Sequence, residues 1–266
     1  CAMDDVLRKA RRVHQLGLDL LVSLHFSDTI ASSSLQRTPQ EWQDHSMEML
    51  AEDVRSHTAS VLQALREEGI EPRWIQIGNQ LDNGLLWPAG YLTRYPTQYA
   101  TLVSSACRSA RTICPKAQII VAAGNPLHQP SLCAALDGLR TTDYDQIGLA
   151  LYPTQSVGSS FQLLNTAISY GIENENDAIA YTMQTIDMLF NKYKKHCMIV
   201  ECGVPVSQET AGSMHMRQLV KEARANTTCR GIIYHEPEAY EGWRGYTQGA
   251  FLSNGRPTQI IDALTK

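Results

Sequence analysis

The feature that most constrains the fold is a repeated alternation of short apolar segments with long helical patterns. Continuous apolar segments that alternate with helices are typical of parallel βα units, in which the strands are buried on both faces. The predicted strands are 18–24, 74–77, 118–123, 144–151, 197–200 and 231–234. The predicted helices are about 3–14, 47–68, 93–113, 131–139, 177–195, 209–225 and 257–264. The pattern therefore predicts an α/β fold with a parallel sheet.

Polar, aromatic and glycine residues cluster directly after these strands. The strand at 74–77 leads into Gly78-Asn79-Gln80, and the strand at 197–200 leads into Glu201-Cys202-Gly203. Barrels and doubly wound sheets both place their active sites at the carboxyl ends of parallel strands. No GxGxxG or GxxxxGK[ST] motif follows any strand, which disfavours Rossmann and P-loop enzymes. The candidate catalytic residues are therefore those that follow the strands.

Length and connectivity favour one domain. The 266 residues contain no Gly/Ser-rich linker, internal repeat or charge block. A closed (β/α)8 barrel of the TIM type has eight strands, and six are predicted. We therefore expect one domain over 1–266, a partial barrel without its first two βα units. Helical periodicity that begins at Met3, with no signal-peptide pattern before it, fits a truncated chain; a lipidated Cys1 is the alternative.

Composition excludes several functions. The net charge is −4 and basic residues do not cluster, so we expect no nucleic-acid partner. No apolar run approaches the ~20 residues of a membrane-spanning helix. The seven cysteines lack CxxC spacing and are expected to be buried small apolar residues. No ligand spacing supports a metal site built from His25, His235 and Glu236, so we expect neither metal nor cofactor.

Several segments resemble glycoside hydrolase family 53, the endo-β-1,4-galactanases. The segment Trp74-Ile75-Gln76-Ile77-Gly78-Asn79-Gln80, with Asn83-Gly84-Leu85-Leu86-Trp87-Pro88, is similar to the acid/base segment of that family. Further similar blocks follow in family order: Leu24-His25-Phe26-Ser27-Asp28-Thr29, Tyr144-Asp145-Gln146-Ile147-Gly148-Leu149 with Tyr152-Pro153, Ile199-Val200-Glu201, Tyr234-His235-Glu236-Pro237, Gly249-Ala250-Phe251 and Gly255-Arg256-Pro257-Thr258. The resemblance covers nearly the whole chain.

The resemblance implies a (β/α)8 barrel that hydrolyses β-1,4-galactan or galacto-oligosaccharides with retention of configuration. It also implies a secreted or periplasmic protein. The nucleophile of the family carries over to Glu201, and Asn79 would hydrogen-bond the 2-hydroxyl of the sugar. The remaining residues that would line the substrate cleft are His25, Asp28, Trp87, Tyr152 and His235.

This sequence departs from the family pattern at four places. Gln80 stands where the family has its acid/base glutamate, and an amide can neither protonate a leaving group nor deprotonate water. Ile30 and His235 stand at positions where the family has tryptophan, and 121–123 lacks the usual histidine. Four departures favour a degenerate paralogue over an active homologue or a single engineered Glu→Gln substitution.

Three functional hypotheses follow. The first is a galactanase-like hydrolase impaired by Gln80. The second is a non-catalytic galactan-binding protein that uses the same cleft. The third is an incomplete product that does not fold alone, since a barrel without two strands has open edges.

The candidate residues also have structural interpretations. Asn79 and Gln80 fit a loop cap, Glu201 fits a buried ion pair, His25 fits a core histidine, and Trp87 fits plain packing.

Overall fold

The computed structural model describes residues 2–153, 171–240 and 242–264. They belong to two compact units. Unit 1 comprises Cys1–Gly124 and Pro130–Ile147, and unit 2 comprises Asn125–Gln129 and Gly148–Lys266.

Unit 1 contains the first strands and helices of the chain. Its elements are α1 (Met3–Gln15), β1 (Leu21–Leu24), α2 (Met47–Glu67), β2 (Trp74–Ile77), β3 (Gly84–Leu85), β4 (Gly90–Tyr91), α3 (Pro96–Ile113), β5 (Gln118–Gly124), most of α4 (Gln129–Asp137) and the first two residues of β6 (Gln146–Leu151). Short 3-10 helices cover Gln40–Trp42 and Leu81–Asn83. Strand β2 lies between β1 and β5 and is parallel to both, while β3 and β4 form a small antiparallel pair.

Local sequence explains the main elements of unit 1. The Ser46 side chain caps α2 by accepting a hydrogen bond from the Met49 N–H. Pro96 begins α3, where its missing N–H costs nothing. The apolar faces of these two helices pack on each other, and Ile75 and Ile77 of β2 are completely buried. The parallel strands are therefore covered as the continuous apolar pattern predicts.

Unit 2 contains the later strands and helices. Its elements are the rest of β6, α5 (Glu175–Tyr193), β7 (His196–Cys202), α6 (Glu209–Ala225), β8 (Cys229–Tyr234) and α7 (Gln259–Asp262). Asn174 and Asp177 form a capping box at the start of α5. Strands β7 and β8 are parallel, with Cys197 opposite Cys229 and Cys202 opposite Tyr234, and their register shifts twice between these pairs.

The structure confirms the six predicted strands and changes some of their bounds. Strand β7 continues to Cys202, because its pairing with β8 extends past residue 200. The prediction that Glu201 follows the strand was therefore wrong, and Glu201 is the penultimate residue of β7. The last helix is shorter than predicted, and the β3–β4 pair was missed because two-residue strands carry no pattern.

Within the described part of the chain, every helix is too short or too polar to cross a membrane.

Candidate active site

In unit 1 the chain turns sharply after β2. Gly78 has φ +70°, and a side chain there would lie 2.6 Å from Leu81. Gln80 also adopts the left-handed conformation, with φ +49°, and leads into the 3-10 helix at Leu81–Asn83. A left-handed glutamine is uncommon and needs support from its surroundings.

A buried glutamine supplies that support. The Gln36 Nε2 donates to the carbonyl oxygens of Ser32 at 3.0 Å, Asn79 at 2.7 Å and Gln80 at 3.3 Å. The Ser33 N–H donates to the Gln80 Oε1 at 3.3 Å. These bonds fix the Gln80 backbone and the orientation of its amide. We call Gln36, Asn79, Gln80 and Ser33 the amide cluster.

Asn79 is buried within the same cluster. Its Nδ2 donates to the Ala31 carbonyl at 3.0 Å, and its Oδ1 accepts from the Gln76 Nε2 at 3.5 Å. Gln76 also donates to the Gly78 carbonyl at 3.0 Å. The loop after β1 and the turn after β2 are thus joined through the Asn79 side chain.

Trp87 is half-buried and held at three atoms. Its Nε1 donates to the Asn83 carbonyl at 3.1 Å, and its backbone N–H donates to the Gln36 carbonyl at 2.6 Å. Its own carbonyl accepts from the Thr38 hydroxyl at 2.9 Å. Its ring meets that of Tyr91 edge to face, with centroids 5.1 Å apart. The indole is therefore positioned by the backbone around it.

His25, Asp28 and Ile30 lie in the segment after β1. His25 is half-buried, and the exposed Asp28 accepts a hydrogen bond from the Gln40 N–H at 2.8 Å. Ile30 is 82% exposed. The contact of Asp28 fits a loop anchor, and the sugar-binding roles of His25 and Asp28 stay predictions.

Asp82 is a buried acid that the sequence reasoning missed. Only 5% of the residue is exposed, its Oδ1 has no hydrogen-bond partner among the described residues, and it packs closely against Gly124. Burial raises the pKa of Asp82 to about 7. In the sequence, Asp82 stands in a polar stretch that looks like a solvent-exposed turn, so no pattern marked it.

In unit 2, Glu201 is half-buried and hydrogen-bonded to a tyrosine. The hydroxyl of Tyr152, which directly follows β6, donates to the Glu201 Oε1 at 2.5 Å. Burial, and then the negative charge of Glu201, raise the pKa of Tyr152. Tyr152 therefore stays a neutral donor to the carboxylate.

A second tyrosine, also missed from the sequence, lies close to this pair. The Tyr246 hydroxyl donates to the His235 carbonyl at 3.0 Å. The rings of His235 and Tyr246 meet edge to face, 5.5 Å apart. Burial raises the pKa of Tyr246. We call Tyr152, Glu201, His235 and Tyr246 the tyrosine–carboxylate cluster.

Glycine and tyrosine residues shape the surroundings of this cluster. A side chain on Gly203 would lie 3.1 Å from the Tyr152 ring and 3.0 Å from Gln248. The Tyr234 hydroxyl donates to the Gln248 carbonyl at 2.8 Å and accepts from the Val204 N–H at 3.2 Å. Gly203 thus leaves the space that the Tyr152 ring occupies.

The structure brings together Asn79 with Gln80 in unit 1, and Tyr152 with Glu201 and His235 in unit 2. In the ranges 2–153, 171–240 and 242–264, no group of three or more His, Cys, Asp or Glu side chains is arranged to hold a metal ion. Chemically, the first cluster offers amides and the second a carboxylate with hydroxyl donors.

Comparisons with known proteins agree on one family. The model described as glycosyl hydrolase family 53 matches residues 1–255. A probable arabinogalactan endo-beta-1,4-galactanase A of Neosartorya fischeri is 28% identical over 214 residues, which is 77% of this chain and 55% of that protein. The arabinogalactan endo-beta-1,4-galactanase A of Aspergillus niger is 28% identical over 212 residues, with the same coverage. The chain thus spans about half the length of these relatives.

Solved structures show the fold. A structure from a study of two fungal beta-1,4-galactanases matches with a TM-score of 0.82 and 19% identity, over 99% of this chain and 82% of the other. An Ignisphaera aggregans GH53 catalytic domain matches with a TM-score of 0.78 and 19% identity, over 99% and 78%. An endo-1,4-beta-xylanase of Caldicellulosiruptor owensensis matches with 0.67 and 14%, over 100% and 83%. The predicted fold class, α/β of the TIM-barrel type, is confirmed.

Proposed function

This chain belongs to glycosyl hydrolase family 53, and from that premise we propose that it is a retaining, galactanase-like hydrolase with Glu201 as nucleophile. The observation that carries the proposal is the 2.5 Å hydrogen bond from Tyr152 to the Glu201 Oε1. A nucleophilic carboxylate must be ionised and held in one orientation, and a hydrogen bond to the charged form supports both requirements.

Gln80 limits the reaction. In a retaining hydrolase one residue first protonates the leaving oxygen and later deprotonates the attacking water. The amide of Gln80 does neither, so both steps lose an aid that is typically worth ~10²–10⁴-fold in rate. Galactosides whose leaving group departs as a stable anion still react with Glu201, because that departure needs no proton.

The substrate class that we propose is β-1,4-galactan or its oligosaccharides. The galactanase names of the relatives support this choice. A polysaccharide does not cross a lipid bilayer, so a protein that acts on it must meet it outside the cytoplasm. We therefore propose a secreted or periplasmic location.

We assign sugar-binding roles to Asn79, His25, Asp28, Trp87 and His235. The firm anchoring of Asn79 and Trp87 supports the assignment, because a pre-positioned side chain loses little conformational entropy on binding. Tyr152 has a second role in this proposal, since it orients Glu201 besides lining the cleft.

A non-catalytic galactan-binding protein is the second candidate. One observation favours it: Gln80 is built firmly into the amide cluster, with hydrogen bonds to both its backbone and its side chain. Such support fits a site that holds a ligand without transferring protons.

The test is covalent trapping of Glu201. With 2,4-dinitrophenyl 2-deoxy-2-fluoro-β-galactoside, the Glu201 oxygen bonds the anomeric carbon while dinitrophenolate departs with the electron pair of the broken bond. We expect a mass increase of one fluorosugar, mapped to the peptide with Glu201. The variant Glu201→Gln should not react, and Glu238→Gln, at an exposed glutamate of the same unit, should react normally. Galacto-oligosaccharide binding without any labelling would favour the binding protein instead.

A further inference from the structure

Two cysteines of unit 2 lie directly opposite each other on neighbouring parallel strands. Cys197 of β7 is the register partner of Cys229 of β8, and the Cys197 N–H donates to the carbonyl of Thr228, the residue before Cys229, at 3.0 Å. Both cysteines are free thiols in this structure. Since residues directly opposite each other in a parallel pair point to the same face of the sheet, the two side chains leave the sheet on one face.

The spacing of these strands suits a disulfide. Neighbouring strands lie about 4.8 Å apart, and a disulfide usually joins residues whose Cα atoms are ~4.4–6.8 Å apart. The register of β7 and β8 shifts only after this pair, so Cys197 and Cys229 lie outside the irregular part of the ladder. A bridge between them therefore needs rotation of the side chains rather than movement of the backbone.

The backbone that leads into Cys229 is anchored to α5. The Asn226 Oδ1 accepts hydrogen bonds from the N–H groups of Thr228 at 2.8 Å and of Cys229 at 3.1 Å. The Asn226 Nδ2 donates in turn to the Oδ1 of Asp187 on α5 at 3.0 Å. The start of β8 is thus held beside β7 without a bridge, so little conformational freedom is lost when the two thiols join.

The two thiols differ in exposure. Cys197 is completely buried, whereas Cys229 is only partly buried and begins β8, which pairs with β7 alone among the described strands. The Cys229 Sγ donates to the Gly231 carbonyl at 3.8 Å, a weak hydrogen bond that is readily given up. Cys229 is therefore the thiol that a dissolved oxidant reaches first.

Two other placements of cysteine do not suit a bridge. Cys107 lies about two helical turns before Cys114, the C-cap residue of α3, so their Cα atoms are about 10 Å apart. That separation exceeds the ~7 Å limit for a disulfide. Cys202 lies at the end of β7, opposite Tyr234 of β8. The pairing of Cys197 with Cys229 is therefore a specific feature of the start of these strands.

We propose that Cys197 and Cys229 form a disulfide that joins the starts of β7 and β8 when the protein meets a disulfide oxidant such as glutathione disulfide. The Cys229 thiolate attacks one sulfur of glutathione disulfide, and one glutathione thiolate leaves. The Cys197 thiolate then attacks the Cys229 sulfur, and the second glutathione thiolate leaves. Two cysteine thiols are thereby oxidised, and one glutathione disulfide is reduced to two thiols that take up the released protons.

The folded protein and the folding chain differ in how fast they form this bridge. Burial raises the pKa of both thiols, so few thiolates are present in the folded protein at neutral pH. Exchange is therefore faster while the chain folds and both sulfurs are still exposed. The secreted or periplasmic location proposed above is an oxidising environment in which such a bridge persists.

The test is to refold the parent chain from urea in a mixture of oxidised and reduced glutathione and to map its disulfides. Trypsin, combined with a protease that cuts after glutamate, releases Cys197 within residues 196–201, apart from Cys202, and Cys229 within residues 225–230. We expect these two peptides as one covalent species that separates on reduction. Free thiols at both positions, a link from Cys197 to Cys202, or glutathione attached to Cys229 without a bridge would overturn the inference.

Thermal unfolding provides a second measurement with matched variants. Reduction should lower the Tm of the bridged parent by about 5–10 °C, because the bridge restricts the unfolded segment 197–229. Cys133→Ala, at another partly buried cysteine, should show the same loss, whereas Cys229→Ala should show none. A parent Tm that reduction leaves unchanged would contradict the inference. Neither measurement uses a galactoside, so the result is independent of the proposed role of Glu201.

Discussion

The carboxyl ends of β2 and β7 both carry polar side chains, but they hold them in different ways. At β2, the amide cluster is held mainly by backbone carbonyl and N–H groups, and Gln80 has no proton to transfer. At β7, Glu201 is held by the Tyr152 hydroxyl. The contacts of the β2 region hold Asn79 and Gln80 in place, whereas the contact at β7 stabilises the charge of Glu201.

This difference separates two requirements of a retaining hydrolase. Nucleophilic attack needs an oriented carboxylate, which the β7 region contains. Proton transfer needs a group that exchanges a proton near neutral pH, and Gln80 is not one. Asp82, two residues further along, is such a group, but it is buried against Gly124. Under the proposed function, the β7 region supports nucleophilic attack, while Gln80 in the β2 region provides no proton transfer.

The largest expected effect comes from Gln80→Glu. The Ser33 N–H that donates to the amide oxygen can donate equally to a carboxylate oxygen, so the local structure should accept the change. We expect galacto-oligosaccharide release from β-1,4-galactan to increase by about 10²–10⁴-fold, because general acid–base catalysis is restored. Reducing-sugar release and chromatography of the products measure this.

A matched change elsewhere controls for added charge. Gln63 is exposed on α2, and Gln63→Glu should leave release at the parent level. If the folded Gln80→Glu variant binds galacto-oligosaccharides without cleaving them, the β2 region lacks something besides the proton donor.

A second prediction concerns the stability of the β2 region at Asp82. An acid with a folded-state pKa above its unfolded value binds its proton more tightly when folded. Its contribution to the free energy of unfolding is therefore greatest below about pH 4, falls between the ordinary pKa of 3.8 and about 7, and then levels off. Asp82→Asn cannot ionise, so we expect it to be more stable than the parent at pH 8 by about 2–4 kcal/mol.

Urea unfolding of both proteins at pH 4 and pH 8 measures this difference. The control is Asp44→Asn at an exposed aspartate, which should follow the parent at both values. If the parent and Asp82→Asn lose the same stability between pH 4 and pH 8, the buried carboxyl is not the cause.

Sequence reasoning succeeded where a pattern has a period or a motif. The strands and long helices follow from apolar continuity and helical spacing. The role of Glu201 stays a prediction. The short β3–β4 pair and the extension of β7 to Cys202 depend on pairing between distant segments, which periodicity does not report.

The two clusters show the same limit at the level of single residues. Gln36 and Tyr246 lie in loops, and their neighbours in sequence give no sign that they hydrogen-bond Asn79 and His235. Asp82 looks like an exposed turn residue because burial depends on what packs against it, here Gly124. Motifs point to candidate reactive residues, whereas the residues that hold them become apparent only in three dimensions.

The smallest expected effect, Gln36→Glu, tests whether the amide cluster is held as firmly as its hydrogen bonds indicate. Only 1% of Gln36 is exposed, and its Nε2 donates to carbonyls on both sides of the cluster. Glutamate has nearly the same shape but would place an acceptor oxygen against these carbonyls. The carbonyls would then lose their donor, and we expect the free energy of unfolding to fall by about 1–3 kcal/mol.

Urea unfolding at pH 7 measures this loss, with Gln43→Glu at an exposed glutamine as the control. The β7 region provides the contrast, because Tyr152→Phe removes a hydroxyl that supports a charge and should affect labelling at Glu201 more than stability. If Gln36→Glu is as stable as Gln43→Glu, the amide cluster tolerates the loss of its donor. The turn after β2 would then be a loosely held loop, and the contrast drawn between the β2 and β7 regions would no longer hold.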